Sequence, residues 1–473
     1  MPPKRPSKPP AQGKTPGRSS AIGQKGINVV PNQLLDIYVV GTNCYGELGL
    51  GSLTKKSELS RPVLNSKLDV ISTGIVYIAV GGVHSAALTH DNRILTWGVN
   101  DEGALGRDTK QEDNDDTQDG GNSSDEESDD DEVNLNLKEA TPLPVDSSFF
   151  PSGTVFTQLA ASDSATFALT TEGLVYGWGT FRGDKGGIGF SPKCREEQRT
   201  PILIPGIKDI ISIVAGAQHI LALASNGSVF GWGCDEQNQL GRRRVTRHNT
   251  NSHHLIPELC ALPTGIRTIG VGMYHSFAIH KNGTVYGWGS NNFGQTGTSS
   301  TAGLSDAIVA YPDKIPGLQE HGTITSVFGG KDHSIALTET GKCLVWGRID
   351  NKALGISHEE MSESDVIYDV YNKPRILKEP YLLPEFGEDD PVDFATASSD
   401  HSFAITRSGK AYSWGFNSQS QAGQPGIDEI EKPTLVQSKY VDGKRLVSAA
   451  AGGQFSILVG VSTHSRKKKT SKQ

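Results

Sequence analysis

A Trp-Gly pair recurs along the chain and constrains its fold more than any other feature. A degenerate Val40-Gly41 copy comes first, and six full copies begin at Trp97, Trp178, Trp232, Trp288, Trp346 and Trp414. Successive glycines are 57, 81, 54, 56, 58 and 68 residues apart, and the second interval falls to about 56 once its acidic run of about 25 residues is left out. Seven copies at a period of about 55 residues indicate a repeat array rather than one large core.

A second motif begins 13 residues before each tryptophan. Its first position holds His84, Ala165, His219, His275, His333 and His401. Between the two motifs, apolar residues alternate around dipeptides such as Asn226-Gly227 and Asn282-Gly283, which supply the positive φ of tight hairpin turns. One apolar run precedes each motif pair and a proline-led run follows it, so each repeat predicts four strands. Four strands are typical of a β-propeller blade.

The order of the half-repeats predicts how the ring closes. The chain begins with a Trp-Gly half over 37–51 and finishes with a histidine-type half over 449–459, in which Phe455 takes the histidine position. We therefore expect an all-β protein, a seven-bladed β-propeller closed by pairing of the N- and C-terminal strands in one blade. Such pairing removes two exposed sheet edges. The propeller is expected over 34–460.

Charge is distributed unevenly. The formal net charge is -8, but the run from Asp108 to Glu132 holds thirteen carboxylates against one lysine, Lys110. We expect three disordered segments, namely basic tails over 1–33 and 461–473 and an acidic insertion over 108–133. The insertion is either a solvated loop or a segment that binds a basic partner or is phosphorylated at Ser124 and Ser128.

Composition and motifs exclude several function classes. The five cysteines are scattered without a C-x-x-C pair, which favours a reducing compartment over a disulfide scaffold or a zinc ribbon. No run of 18 apolar residues and no apolar signal region occurs, so we expect neither a membrane span nor secretion. The sequence also contains no phosphate-binding loop, dinucleotide fingerprint, zinc-protease motif or nucleophile elbow. We expect no enzyme active site, no cofactor and no metal.

The repeat resembles a known family. Segments of the type G-x-x-H-S-x-A-L, V-Y-x-W-G and N-x-x-G-Q-L-G are similar to the seven-bladed family of the regulator of chromosome condensation, over roughly Leu34 to Gly460. The resemblance implies a guanine-nucleotide exchange factor for the small GTPase Ran, monomeric, nuclear and bound to chromatin. A repeat alone supports the fold more strongly than the function. The alternative is a propeller scaffold that binds histones or other proteins without exchange.

One loop departs from the repeat and resembles the family's β-wedge. In six repeats, the glycine of the Trp-Gly pair and the last glycine of the loop that follows it are eight positions apart. In the Trp-Gly loop after Trp178 the same two glycines, Gly179 and Gly189, are ten positions apart. Its residues are Phe181, Arg182, Gly183, Asp184, Lys185, Gly186, Gly187 and Ile188. By resemblance, this protruding hairpin inserts against the GTPase. Without the resemblance, an insertion in a surface loop is the simpler explanation.

The resemblance also implies contacts with chromatin and with an importin. Lys4, Arg5 and Lys8 lie in a tail similar to the family's nuclear-import and DNA-contacting tail, where lysine and arginine neutralise phosphates. Arg243, Arg244 and Arg247 lie where the family has a loop that contacts the acidic patch of the nucleosome. Arginine suits that contact because its planar fork pairs with carboxylates through two hydrogen bonds.

The family's GTPase-facing residues map onto Asp163, Gln218, Arg242 and Asp332. Gln218 stands where the family commonly has an aspartate, and Asp332 stands where some relatives have histidine. Two further residues depart from the family pattern. Cys44 stands where an acidic contact residue can occur, and Phe455 replaces a repeat histidine. The repeated histidines are expected to be structural, because a residue repeated by the architecture usually satisfies local backbone groups. They are not expected to bind a metal, because residues on separate blades cannot converge on one ion.

Overall fold

The computed structural model describes residues 26–54, 56–110, 135–242, 253–384, 386 and 390–463, and the regular structure in them consists almost entirely of β-strands joined by turns. In chain order the strands are β1 (Leu35–Thr42), β2 (Glu58–Leu64), β3 (Ile75–Val80), β4 (His84–Thr89), β5 (Ile94–Gly98), β6 (Leu143–Pro144), β7 (Phe156–Ala161), β8 (Ala165–Thr170), β9 (Val175–Gly179), β10 (Phe181–Gly183), β11 (Gly186–Gly189), β12 (Gln198–Leu203), β13 (Ile210–Ala215), β14 (His219–Ala224), β15 (Val229–Gly233), β16 (Glu258–Leu259), β17 (Ile266–Val271), β18 (His275–His280), β19 (Val285–Ser290), β20 (Ile308–Lys314), β21 (Ile324–Gly329), β22 (His333–Thr338), β23 (Cys343–Arg348), β24 (Val366–Tyr368), β25 (Pro374–Leu382), β26 (Val392–Ala397), β27 (His401–Thr406), β28 (Ala411–Phe416), β29 (Glu429–Leu435), β30 (Leu446–Ala451) and β31 (Phe455–Val461).

Helical structure is sparse in the described residues. The α-helix α1 (Leu137–Ala140) follows the acidic insertion, and short 3-10 turns cover Gly51–Leu53, Ser66–Leu68, Ser147–Phe149, Leu318–His321, Asp350–Lys352, His358–Glu360 and Glu363–Asp365. Among the described residues, no helix is long and apolar enough to cross a membrane.

The strands form seven antiparallel blades around a closed ring, which confirms the predicted fold. Blade 1 has the order β2-β1-β31-β30, and blades 2 to 7 have the orders β3-β4-β5-β6, β7-β8-β9-β12, β13-β14-β15-β16, β17-β18-β19-β20, β21-β22-β23-β25-β24 and β26-β27-β28-β29. The inner strands contact one another in sequence, and β30 contacts β3 to complete the ring. Blade 6 has a fifth strand because the extra residues of its long repeat fold into a hairpin with β25.

Blade 1 closes the ring as the half-repeats predict. β1 pairs with β31 in an unbroken antiparallel register from Leu35 opposite Val461 to Gly41 opposite Phe455. The first and last strands of the ring are therefore central neighbours in one sheet, and neither is an exposed edge.

The apolar core lies between neighbouring blades. Each of the six tryptophans of the Trp-Gly pairs is buried, with at most 1% of its surface exposed. One representative cluster joins Phe167 and Phe181 of blade 3 to Ile210 and Trp232 of blade 4. Because each blade buries one sheet face against the next, the ring rather than a single blade is the unit of stability.

The inner strands surround a central cavity of about 1240 Å³. Small residues of these strands line it, including Ala79, Ala160, Ala215, Ala397 and Ala450. They let seven strands approach the axis closely. We call one end of the ring the rim, which carries the residues directly before the histidine motifs: Val83, Ser164, Gln218, Tyr274, Asp332, Asp400 and Gln454. The other end, the turn end, carries the hairpin turns between the second and third strands of the blades.

Candidate functional site

Backbone hydrogen bonds tie the rim turns of adjacent blades together. The N–H of Asp163 donates to the carbonyl of Ala217 at 2.9 Å, and the N–H of Ala217 donates to Met273 at 3.1 Å. The N–H of Met273 continues the series to Gly330 at 2.9 Å. The rim therefore presents its side chains from a fixed backbone.

Asp163 and Gln218 lie side by side on this rim. Both are half-buried, and a side-chain hydrogen bond from Gln218 partly stabilises the Asp163 carboxylate. Burial nevertheless outweighs that bond and raises the pKa of Asp163 to about 6. The structure thus places these two residues of the predicted GTPase-facing set together at the rim.

The long loop after Trp178 folds into a hairpin. β10 and β11 pair through Phe181 opposite Gly189, Arg182 opposite Gly187 and Gly183 opposite Gly186. Phe181 does not protrude, although it lies in the predicted wedge. Its ring is fully buried and packs against Phe167 and Phe190 at centroid distances of 6.1 and 5.9 Å. The ring anchors the base of the hairpin in the core.

The first strand of the hairpin is held from both neighbouring blades. The backbone N–H of Arg182 donates to Oε1 of Gln218 at 2.8 Å, and the backbone N–H of Asp184 donates to Oε2 of Glu236 at 2.8 Å. From the other side, Nη1 of Arg182 forms an ion pair with Oε1 of Glu102 in blade 2. These contacts fix the direction in which the hairpin leaves the rim.

The far end of the hairpin stands in open space. Asp184 and Lys185 are exposed, and a Cβ atom added at Gly186 or Gly187 would meet no atom within 4 Å. Gly186 has φ +106°, a conformation that glycine adopts without strain. Ile188 turns back and packs against the apolar cluster that holds Phe181. The hairpin thus has a buried base and a free tip.

Asp332 lies at the rim of blade 6 but its carboxylate is largely satisfied within the protein. Oδ2 forms an ion pair with Nη1 of Arg348 at 3.3 Å, and Oδ1 accepts from Nε2 of Gln295 at 3.4 Å. Burial raises the pKa of Asp332, and the positive charge of Arg348 opposes this shift. Asp332 is therefore less available to a partner than Asp163.

Tyr274 of blade 5 lies near several negatively charged side chains of the rim and of the hairpin. Burial raises the pKa of its hydroxyl, and the negative charges of Asp163, Asp184 and Asp332 add to that effect. Asp163 and Asp184 therefore place negative charge on this part of the rim. Such a region attracts a partner with a basic surface.

Arg242 does not belong to this region, contrary to its predicted place in the GTPase-facing set. Its side chain is only 6% exposed, and its guanidinium donates to the carbonyls of Ile256 and His254 and pairs with Glu258 of the outer strand β16. Arg107 occupies the same repeat position in blade 2 and likewise donates to backbone carbonyls of its own blade, at Thr96 in β5 and at Thr141 before β6. The shared position indicates a structural role inside the blade.

The repeated histidines have the predicted structural role, but their partners are hydroxyls of the next blade rather than local backbone groups. Each imidazole Nε2 lies 2.8–2.9 Å from a hydroxyl of the next blade, in the pairs His84 with Thr166, His219 with Ser276, His275 with Ser334, His333 with Ser402 and His401 with Ser456. Burial lowers the pKa of all five to about 3 or about 4, so they are neutral at physiological pH. Among the described residues, no group of three or more metal-ligating side chains is gathered.

This series of links is broken at two places. Ala165 replaces the histidine of blade 3, and the matching hydroxyl position of blade 4 holds Ile220. Phe455 replaces the histidine of blade 1, and its counterpart in blade 2 is Ser85, whose buried hydroxyl lacks a hydrogen-bond partner in the described structure.

The hairpin also alters a second type of link between blades. In five copies, the indole Nε1 donates to a loop carbonyl of the preceding blade, in the pairs Trp97 with Glu47, Trp178 with Ala104, Trp288 with Gln239, Trp346 with Gln295 and Trp414 with Ala353. The indole N–H of Trp232 is buried without such an acceptor among the described residues. The loop that would supply the carbonyl is the hairpin. Phe167 packs edge-on against Trp232 at 5.7 Å, so aromatic contact holds this junction.

Sequence reasoning missed two residues that hold the hairpin in place. Glu102 and Glu236 lie in the loops that follow Trp-Gly pairs, at positions for which the repeat gives no functional signal. Only their contacts with Arg182 and Asp184 mark them. Of the predicted chromatin-binding residues, Lys4, Arg5, Lys8, Arg243, Arg244 and Arg247 lie outside the described residues.

The sequence and the fold match known proteins over most of the chain. Residues 36–458 match the family described as the RCC1-like domain. The guanine nucleotide exchange factor SRM1 of Saccharomyces cerevisiae is 36% identical over 438 residues, which cover 91% of this chain and 88% of that protein.

Two solved structures of the yeast protein Prp20 have the same architecture. One, described as "The Crystal Structure of Prp20p from Saccharomyces cerevisiae and Its Binding Properties to Gsp1p and Histones", superimposes with a TM-score of 0.80 at 33% identity and covers 93% of this chain and 94% of that one. The other, of Kap60 bound to yeast RCC1 (Prp20), gives a TM-score of 0.81 at 32% identity and covers 96% and 97%. By its repeats, its closed ring and these matches, the protein belongs to the RCC1 family, that of the regulator of chromosome condensation.

Proposed function

We propose that this protein is a guanine-nucleotide exchange factor that acts on the small GTPase Ran. One observation carries the proposal: the single long Trp-Gly loop forms a braced hairpin with a free tip beside the electronegative rim at Asp163. The yeast relative SRM1 is named a guanine nucleotide exchange factor, and Prp20p is described with binding properties to Gsp1p and histones.

The mechanism requires binding energy and no covalent chemistry. An exchange factor binds the nucleotide-free GTPase better than the loaded form, so it stabilises the opened state through which nucleotide leaves. Each tenfold acceleration requires about 1.4 kcal/mol of preferential binding to that state. In this proposal Asp163 engages basic groups of the GTPase, and the hairpin tip from Asp184 to Gly187 displaces a segment that holds the phosphates.

We assign chromatin and importin contacts to the basic segments. The described residues next to both tails lie at the turn end, where the N–H of Ile27 donates to Thr171 and the N–H of Ser462 donates to Leu34. A GTPase on the rim would therefore not cover the attachment points of the tails. Binding of histones and of Kap60 by the yeast relative supports such partners here and a nuclear, chromatin-associated location.

The test is release of a fluorescent GDP analogue from purified Ran with catalytic amounts of this protein. An unrelated small GTPase is the selectivity control, and a variant in which a Gly-Gly link replaces Asp184 to Gly187 tests the hairpin. We expect acceleration on Ran alone and a large loss in the variant. Equal activity of that variant would remove the hairpin from the mechanism.

The alternative function is a propeller scaffold that binds histones or other partners without exchange. It predicts histone binding by a folded protein that leaves Ran nucleotide release unchanged. In that event Gln218 is the first residue to replace by aspartate, the residue common at that position in the family.

A further inference from the structure

We propose that Glu236 of blade 4 is a positioning residue for nucleotide exchange, because its carboxylate holds the hairpin at the angle at which the tip meets the GTPase. This inference rests on the proposed exchange function. Glu236 itself need not contact the GTPase.

The contact is specific in its geometry. Oε2 of Glu236 accepts the backbone N–H of Asp184 at 2.8 Å, at the point where β10 ends and the turn begins. The carboxylate also lies directly against Gly183, where a Cβ atom would come within 2.5 Å of Oε1. A charged acceptor forms a stronger hydrogen bond with an N–H than a neutral one does.

The hairpin needs this brace because its own pairing is slight. β10 and β11 join through three residue pairs with an irregular register, and an isolated two-stranded hairpin is marginal in water. Phe181 secures the base in the core, but nothing in the described structure packs against Gly186 and Gly187. The bond from Glu236 is the outermost of the contacts that hold the first strand, beyond those at Arg182.

Positioning makes a distinct kinetic prediction. A hairpin that acts on the opened GTPase contributes to the step that releases nucleotide. A disordered hairpin therefore lowers kcat. The affinity of the rim for the loaded GTPase depends on other side chains, so KM changes little. If Glu236 instead contacted the GTPase directly through its charge, exchange activity would depend on that negative charge rather than on the oxygen that accepts the N–H of Asp184.

Two substitutions separate these roles. Glu236→Ala removes the acceptor, whereas Glu236→Gln removes the charge and keeps an oxygen that can accept the N–H of Asp184. We expect Glu236→Ala to lower kcat roughly tenfold with KM nearly unchanged, and Glu236→Gln to stay within about twofold of the wild type. Asp101→Ala, which removes an exposed carboxylate lining the same cavity, is the matched control and should leave kcat unchanged.

Hydrogen exchange measured by mass spectrometry on peptides spanning Phe181 to Phe190 gives a readout that does not depend on activity. We expect faster amide exchange there in Glu236→Ala and near-normal exchange in Glu236→Gln. The proposal is overturned if both variants lose activity equally while the hairpin stays protected, or if the hairpin loosens in Glu236→Ala without any change in kcat. A wild-type protein without exchange activity would overturn the proposed function, and with it the kinetic role, whereas the amide data would still show whether Glu236 fixes the hairpin.

Discussion

Oε1 of Gln218 accepts a hydrogen bond of 2.8 Å from the backbone N–H of Arg182, and the same side chain lies beside Asp163, where it opposes the rise that burial causes in the pKa of that carboxyl. One amide group thereby connects the hairpin to the acidic rim residue beside it. An aspartate at this position would be one methylene shorter and, when ionised, would offer no donor to Asp163. Glutamine here therefore couples two parts of the site that the sequence presents as separate.

Replacing Gln218 by alanine is expected to lower kcat for nucleotide exchange roughly tenfold, because the hairpin loses one brace. The measurement is GDP-analogue release from Ran at varied GTPase concentration. Gln454→Ala is the matched control, since Gln454 occupies the same repeat position in blade 1, away from the hairpin. An equal loss in both variants would contradict a specific role for Gln218.

The raised pKa of Asp163 predicts a pH-dependent contribution to stability. The carboxyl has an ordinary value of 3.8 when unfolded and a value of about 6 in the folded protein, so the folded state binds more protons between these values. This contribution therefore decreases as pH rises from about 4 to about 6. Asp163→Asn lacks it, so the stability of the variant relative to the wild type should increase over the same range.

Thermal denaturation of both proteins between pH 4.5 and pH 7.5 measures this difference, with Asp101→Asn as the control for removing a rim carboxylate. A constant difference in Tm between Asp163→Asn and the wild type would contradict the assignment.

The hydrogen bonds between blades predict that a serine-to-alanine substitution lowers the stability of the protein by different amounts at equivalent positions of two blades. Ser276→Ala removes the hydroxyl that contacts Nε2 of His219 and donates to the carbonyl of Gln239, so it should lower the free energy of unfolding by about 1–3 kcal/mol. Ser85→Ala, at the equivalent position of blade 2, removes a buried hydroxyl without a partner in the described structure and should be nearly neutral. Urea denaturation followed by tryptophan fluorescence compares the two. Similar losses would show that packing rather than hydrogen bonding dominates.

Substitution of two repeat tryptophans by phenylalanine gives a second matched comparison of stability. Trp288→Phe loses the hydrogen bond of 2.8 Å from Nε1 to the carbonyl of Gln239, whereas Trp232→Phe removes an indole N–H that has no acceptor in the described structure. Both side chains are buried, so the loss of packing is similar. Trp288→Phe should therefore be less stable than Trp232→Phe by about 1 kcal/mol, as measured by urea denaturation with far-UV circular dichroism. The reverse order would contradict the role given to the loop carbonyl.

Periodicity made the architecture predictable from the sequence. The constant interval of 13 residues between the histidine and tryptophan motifs fixes a hairpin of constant length, and seven copies fix the number of blades. The half-repeats at the two ends predict the pairing of β1 with β31, which the structure confirms. These features depend on local turn geometry and on repetition, both of which are written along the chain.

The roles of individual residues depended on tertiary structure. The sequence alone determined the ring, its closure and the location of the unusual loop after Trp178. Only the folded ring places Glu102 and Glu236 against a hairpin 80 and 52 residues distant from them, and only it shows that Arg242 is turned into its own blade. The physical reason is that neighbouring loops on the rim belong to different repeats, so contacts between them follow blade geometry and leave no spacing pattern in the sequence.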